Sequence, residues 1–259
     1  MSNTTFPRTK LHVVAGDFHY PEHDGRAFKA LLEFLKVNKR RIASFTLNGD
    51  GLDCADISRH TEGKPRLRKR RGWKDAIDGF RENILDRLDE VLPKSCKKVF
   101  IAGNHEDWLQ DLLDKQPELE GLLEIPNLLR LEERGWTWKE CGEHIERAGF
   151  VILHGDQIGS GIHVAKKAGD LISGNVIMSH VHRLSMFSRA ALVSEKKKHL
   201  AVTLPCMCTV APTYAKGQPN ALVVGFGIIE EWAVNRANVY SPVIIDGVFA
   251  YGGQLYGRK

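Results

Sequence analysis

The chain contains no CxxC pair, and its cysteines are odd in number: five, at positions 54, 96, 141, 206 and 208. That argues against a closed disulfide framework and against a thiolate zinc knuckle. The opening MSNTTFPRTK lacks the apolar core of a signal peptide, so reduced thiols in a cytoplasmic protein are expected. Long apolar runs are also missing. Ala221–Ile229 is among the longest, and it falls well short of the roughly 20 residues a membrane-spanning helix needs. Internal repeats and low-complexity linkers are absent too, which predicts a single domain over residues 1–259.

What is present is the composition of an ordinary globular protein, with 42% hydrophobic and 27% charged residues. The formal charge of +5 favours anionic partners without selecting nucleic acid among them. The first two thirds of the chain alternates strand-like with helix-like segments. Short apolar runs at Leu11–Ala15, Ile42–Leu47, Val99–Ala102, Phe150–Leu153 and Val176–Met178 read as buried strands. Phe28, Leu31, Leu32 and Leu35 predict a helix over Arg26–Val37, and His23 and Asp24 before it are placed to cap it, the lesser reading being that they line the site. A longer helix is predicted from Trp73 through Ile77, Phe80, Ile84 and Leu88 to Val91, stopped by Pro93. Two further helices are expected at Glu106–Leu113 and from His163 to Leu171. After Leu184 the helical periodicity fades and β-type segments take over, including Leu222–Ile229 and Val243–Tyr251, with a hairpin turn at Asp246-Gly247.

The informative pattern is how the five strands end. The first runs into Gly16-Asp17-Phe18-His19, and the second into Asn48-Gly49-Asp50 with Asp53 three residues on. The third delivers Gly103-Asn104-His105-Glu106, the fourth His154-Gly155-Asp156, and the fifth Ser179-His180-Val181-His182. In α/β proteins the carboxyl ends of strands converge on one edge of the sheet. Asp17, His19, Asp50, Asn104, His154, His180 and His182 would then meet in one place. Any one of these elements alone is ordinarily a surface pair, a turn or a hydrogen-bonded core histidine. Their joint occurrence at five strand ends predicts a metal centre. Oxygen and imidazole donors without thiolate suit catalytic ions of the manganese, iron, zinc or cobalt kind. Seven donors exceed what one ion takes from protein and match two ions sharing a carboxylate.

The series Asp17-x-His19, Gly49-Asp50-x-x-Asp53, Gly103-Asn104-His105-Glu106, His154 and His180-x-His182 resembles the motif set of the calcineurin-like metallophosphoesterases, in order, over residues 11–183. The resemblance implies an α+β or α/β fold, a two-sheet β-sandwich flanked by helices, whose β-rich part from 184 to 259 completes the sheets. It implies two divalent cations, manganese foremost, with iron, zinc, cobalt or nickel as the other candidates. One would take Asp17, His19, Asp50 and His182; the second would take Asp50, Asn104, His154 and His180, with Asp50 bridging. His105 matches the family's catalytic histidine and Asp53 the carboxylate that orients it. Ser179 departs from the family's usual glycine, and only a slight local adjustment is expected. The short length and the phrases around Asp17 and Asn104 are similar to small bacteriophage-encoded members, implying a bacterial or phage-infected cytoplasm.

The resemblance implies a phosphate-ester substrate. Lys64–Lys74 holds seven basic residues and no acid, a segment suited to tracking a DNA or RNA backbone or equally to forming a solvated helix entry. Arg59, Lys64, Arg66, Arg68 and His163 are the substrate-contact candidates; Trp73 is read as core. The second motif lacks the Arg-Gly that follows its second Asp in serine/threonine phosphatases of the superfamily, which favours a phosphodiesterase or nuclease over a phosphomonoesterase, although Arg59 or an arginine of the basic run could substitute. With no separate nucleic-acid-capping module, a nuclease would rely on the basic segment or on oligomerisation. A non-catalytic scaffold and a plain nucleic-acid-binding module are the other classes, and both leave the strand-end motifs unused. Cys206 and Cys208 are read as packing residues.

Overall fold

The computed structural model describes residues 9–55, 57–58, 72–191, 194–210 and 221–257; the side chains at 190–191 and 194–198 lie outside that description. In chain order the strands begin with β1 (Lys10–Ala15), β2 (Ile42–Asn48), β3 (Lys97–Ile101), β4 (Trp136–Lys139), β5 (His144–Arg147), β6 (Phe150–Leu153) and β7 (Asn175–Met178). They continue with β8 (Ser185–Ala191), β9 (Ser194–Thr203), β10 (Gly227–Ala233), β11 (Arg236–Tyr240), β12 (Phe249–Tyr251) and β13 (Gln254–Tyr256). The helices that matter for the site are α1 (Gly25–Val37), α2 (Trp73–Phe80), α3 (Asp86–Val91), α4 (Asn104–Leu113), α5 (Ile125–Leu128) and α6 (Val164–Leu171).

Two large sheets form the body. The first has the order β11-β10-β1-β2-β3-β4, with β1 to β4 parallel and β10 and β11 antiparallel at one side. The second runs β5-β6-β7-β9-β8, with parallel β6, β7 and β9 between antiparallel edges. A third, two-stranded sheet pairs β12 with β13.

Side-chain alternation along each strand decides the layering. Val13 packs toward Phe28, Leu31 and Phe34 of α1 and toward Ile77 and Phe80 of α2. Its neighbour Val14 points the other way and joins Val99 and Ile101 against Ile152, Ile177 and Val202 of the second sheet. The far face of that sheet packs Val176 and Met178 on Val164 and Ala168 of α6. The central strands are thus covered on both faces, which is why they read as unbroken apolar runs rather than alternating ones. The protein is a mixed α/β structure of several sheets and helices, as the alternation of strand-like and helix-like segments led us to expect.

Local chemistry explains most boundaries. Asp24 caps α1, its carboxylate accepting the Arg26 and Ala27 N–H groups at 2.9 and 3.0 Å. The Asp246-Gly247 turn closes with reciprocal hydrogen bonds between Ile245 and Val248, both central residues having positive φ.

Three expectations need correction. The helix over 73–91 is interrupted by a π-helical turn at Arg81–Leu85, where Asn83 Nδ2 donates to the Tyr20 hydroxyl at 3.1 Å. Apolar spacing alone does not reveal such an insertion, because Phe80, Ile84 and Leu88 stay on the buried face either way. The run Leu222–Ile229 forms strand only from Gly227, preceded by isolated bridges at Val224 and Gly225. Val243–Tyr251 likewise divides into single bridges and the short β12.

Phe34 ties α1 to the C-terminal strands: fully buried, its ring lies 5.2–5.9 Å from those of Phe226, Phe249, Tyr251 and Tyr256. Phe34→Ala is expected to cost about 3–5 kcal/mol, read as a lowered urea midpoint at unchanged m-value.

Candidate metal centre

The carboxyl ends of β1, β2, β6 and β7 and the start of α4 meet at one edge of the sandwich. The loops after β1 and β2 run side by side, with Asp17 N–H donating to Gly49 O at 2.9 Å, His19 N–H to Asp50 O at 2.8 Å and Tyr20 N–H to Gly51 O at 2.9 Å. Asp17, His19, Asp50, His180 and His182 all adopt positive φ, between 45° and 68°. Non-glycine residues rarely hold that conformation, and clusters of it mark functional sites. Two glycines make room. At Gly49, φ is +81° and a Cβ would stand 2.1 Å from His154 Nδ1; at Gly103 one would stand 2.2 Å from Asp50 Oδ1.

The side chains fall into overlapping groups whose donor atoms lie within 4.8 Å of one another. Asp17, His19, Asp50 and His182 form the first, all buried. Asp50, His154 and His180 form the second, and Asn104 Oδ1 adjoins it, 3.2 Å from His154 Nε2. A third comprises His19, Asp53 and His105. Within the first group the Nε2 atoms of His19 and His182 face each other at 3.1 Å, and His182 Nε2 is 3.3 Å from Asp17 Oδ1. His154 Nε2 lies 3.3 Å from Asp50 Oδ2. His154 Nδ1 donates to the Asn48 carbonyl at 2.9 Å; since a carbonyl only accepts, that nitrogen carries the proton and Nε2 faces the centre.

Ser179, the departure from glycine, is fully buried. Its hydroxyl accepts the Asn48 amide N–H at 2.9 Å, and the same amide donates to Leu153 O at 2.8 Å. Asn48 and Ser179 thereby fasten the first sheet to the second beneath the centre.

Electrostatics divide the four imidazoles. Burial opposes charge on His154 but is outweighed by Asp50, Asp17 and the Asn48 carbonyl, and its pKa is pushed up to about 10. His182, likewise buried, is raised to about 9 by Asp17. Burial and nearby histidines push His19 and His180 down instead. Burial also works against ionised Asp17 and Asp50, yet His182 beside the one and His154 and His105 beside the other hold both carboxyls below their ordinary value.

Glu106 is the residue whose role the sequence motif did not disclose. Fully enclosed, it accepts N–H groups from Asp50 at 2.9 Å, Leu52 at 2.9 Å and Gly103 at 2.8 Å. It clamps the second motif to the third. Burial, then the Asp50 charge, raise its pKa to about 7 against the pull of those N–H groups. The available signal was its place three residues after Gly103, at the third position of α4, where a carboxylate reaches back to the chain entering the helix.

Other candidates fare differently. Asp53 was expected to orient His105 through its carboxylate. It is the Asp53 backbone carbonyl that accepts His105 Nδ1–H at 2.7 Å, while the nearest carboxylate oxygen stands 3.7 Å away. The His105 ring also lies against Trp108, centroids 4.0 Å apart. His163 is exposed at the N-cap of α6 and joins none of these groups. Arg59, Lys64, Arg66 and Arg68 lie outside the described residues, as does most of the basic segment.

Buried aspartates, an amide oxygen and imidazoles with ring nitrogens facing one another make a donor set that fits divalent cations. His180 Nδ1, buried without a hydrogen-bond partner, adds to that fit. No helix among the described residues is long and apolar enough to cross a membrane.

No protein-family model matches this chain, and no curated protein matches it. Solved structures do. Vps29 from Chaetomium thermophilum is 13% identical with a TM-score of 0.48, the alignment covering 92% of each chain. Vacuolar protein sorting 29 from Cryptosporidium parvum is 13% identical with a TM-score of 0.44, covering 96% of this chain and 95% of the other. At these values neither one carries an activity or a partner over to this chain.

Two outcomes are expected. Glu106→Ala leaves three buried N–H groups unpaired, each costing about 1–3 kcal/mol, so chemical denaturation should show a loss of about 3 kcal/mol or more, with Glu106→Gln less severe. The neighbouring aspartates favour protons on His154 and His182, so a divalent cation taken up by these groups would compete with them. Manganese binding should therefore release roughly two protons per chain at pH 7 and tighten as pH rises toward 9; calorimetry in buffers of different ionisation enthalpy measures this, and an absence of proton release would contradict the raised values.

Proposed function

We propose that the chain is a phosphoesterase working with two divalent cations, of the calcineurin-like metallophosphoesterase type, and that it acts on phosphodiesters. One observation carries this reading: seven oxygen and imidazole side chains from five chain segments converge as two groups sharing Asp50. Asp17, His19, Asp50 and His182 would hold one cation; Asp50, Asn104, His154 and His180 would hold the other. When bound there, divalent cations would supply Lewis-acid polarisation of a phosphoryl oxygen and activation of water at neutral pH.

The protein's own groups do the rest. Asp50 balances positive charge from both sides, and Glu106 fixes its backbone. His105 stands at the rim, partly exposed, with Nε2 3.9 Å from Asp50 Oδ2. Because its Nδ1 proton is committed to the Asp53 carbonyl, the proton it can give to a departing oxygen is the one on Nε2. The packed Trp108 ring limits rotation away from that pose. The diester preference rests on the second motif, Gly49-Asp50-Gly51-Leu52-Asp53-Cys54, which lacks the phosphate-gripping arginine after Asp53, and on the basic segment from Lys64 to Lys74, suited to a nucleic-acid backbone.

Hydrolysis of bis(p-nitrophenyl) phosphate beside p-nitrophenyl phosphate, with Mn²⁺ added and Asp50→Asn as control, tests the reading. Diester cleavage well above monoester cleavage is expected. The reverse preference would make the protein a phosphomonoesterase, and silence on both would leave a non-catalytic scaffold. His105→Ala is expected to keep cation binding and to lose about 10²–10⁴-fold in turnover on esters with poor leaving groups; full turnover there would remove the proton-donor role.

A further inference from the structure

Behind His182 lies a second kind of donor that the proposed chemistry does not use. The segment Cys206–Thr209 follows β9 and is stitched to the loop that carries the first motif. Met207 N–H lies 3.1 Å from Gly16 O and 3.2 Å from Asp17 O, Asp24 N–H donates to Met207 O at 2.9 Å, and Thr209 N–H donates to Glu22 O at 2.8 Å. Cys208 forms a β-bridge with His23 and Cys206 with Val224. Cys206 and Cys208 flank a bend at Met207, and their side chains meet. Both are completely buried and free. The sulfurs are 3.3 Å apart, with the Cys208 thiol directed at Cys206 Sγ and the Cys206 sulfur also 3.4 Å from Val223 O. A ring nitrogen of His182 completes a group whose donor atoms lie within 4.8 Å of one another.

The contrast with the neighbouring centre is chemical. Aspartate, asparagine and imidazole suit manganese, iron or cobalt as well as zinc, whereas two thiolates and an imidazole select softer ions. Two sulfurs 3.3 Å apart can both reach one ion at the roughly 2.3 Å of a zinc–thiolate bond. Three protein donors would leave a fourth coordination position unfilled by side chains of this group.

We propose that His182, Cys206 and Cys208 form a separate cation site for a thiophilic divalent ion such as zinc or cadmium. The two thiols release their protons to solvent as the ion binds, and no oxidant or reductant takes part. His182 belongs to this group and to the group of Asp17, His19 and Asp50, so the two sites are coupled: filling the sulfur site changes how the first group holds its own cation.

Cadmium reports on this without any measurement of hydrolysis, so failure here is separable from failure of the phosphoesterase reading. The chelator-stripped chain is titrated with Cd²⁺ while sulfur-to-cadmium charge-transfer absorption is followed. The wild type is expected to develop the band with one ion per chain, Cys141→Ser to keep it, and Cys206→Ser and Cys208→Ser each to diminish or lose it. Prior loading with Mn²⁺ should shift the titration to higher Cd²⁺ concentration. Should the serine variants not fold, the ¹¹³Cd resonance of the wild-type chain counts sulfur donors directly. A band of undiminished size in both Cys206→Ser and Cys208→Ser, or a wild-type ¹¹³Cd shift typical of oxygen and nitrogen donors alone, would overturn the proposal.

Discussion

The centre depends on keeping one carboxylate, Asp50, ionised where water cannot reach it. Burial of an isolated charge is among the most costly things a fold can do. Here the cost is met by concentrated compensation: His105 N–H donates to Oδ1 at 2.9 Å, His154 stands beside Oδ2 at 3.3 Å, and His19 and His105 approach within 3.8 and 3.9 Å. Raised histidines and lowered aspartates are two views of that same arrangement.

Holding these groups together requires backbone that would not be adopted for its own sake. Five of the converging residues sit in the left-handed region, at a cost on the order of 1–3 kcal/mol each. The strain persists because the surroundings over-determine it. Parallel loops hydrogen-bond in register, Glu106 ties Asp50 to the start of α4, and the Asn48–Ser179 pair binds one sheet to the other. Two sheets packed through Val14, Ile101, Ile152, Ile177 and Val202 supply the rigid base. Loops alone could not hold seven donors against one another.

Much of this was open to reading in the primary structure, for a definite reason. Parallel strands buried on both faces appear as short apolar runs, and their carboxyl ends are marked by the abrupt arrival of Asp, Asn or His. The Asp24 cap and the Asp246-Gly247 turn follow from local chemistry and were equally accessible. What escaped was non-local. The π-helical turn at Arg81–Leu85 leaves the apolar period intact, so nothing in the spacing betrays it. Asp53 carries an obvious carboxylate, yet its carbonyl oxygen, which every residue possesses, is what meets His105. Cys206 and Cys208 looked like packing residues; their nearness to His182 arises from strands far apart in the chain.

The sequence by itself determined which residues arrive at strand ends and in what order, because periodicity and residue type are properties of short segments. Only the tertiary structure decided which of those residues share a cation-sized space, which nitrogen of His154 faces inward, and that Glu106 serves as a clamp. Those outcomes depend on distances between segments up to 163 residues apart, as for His19 and His182. They are set by the packing of two sheets against each other, which no local stretch encodes.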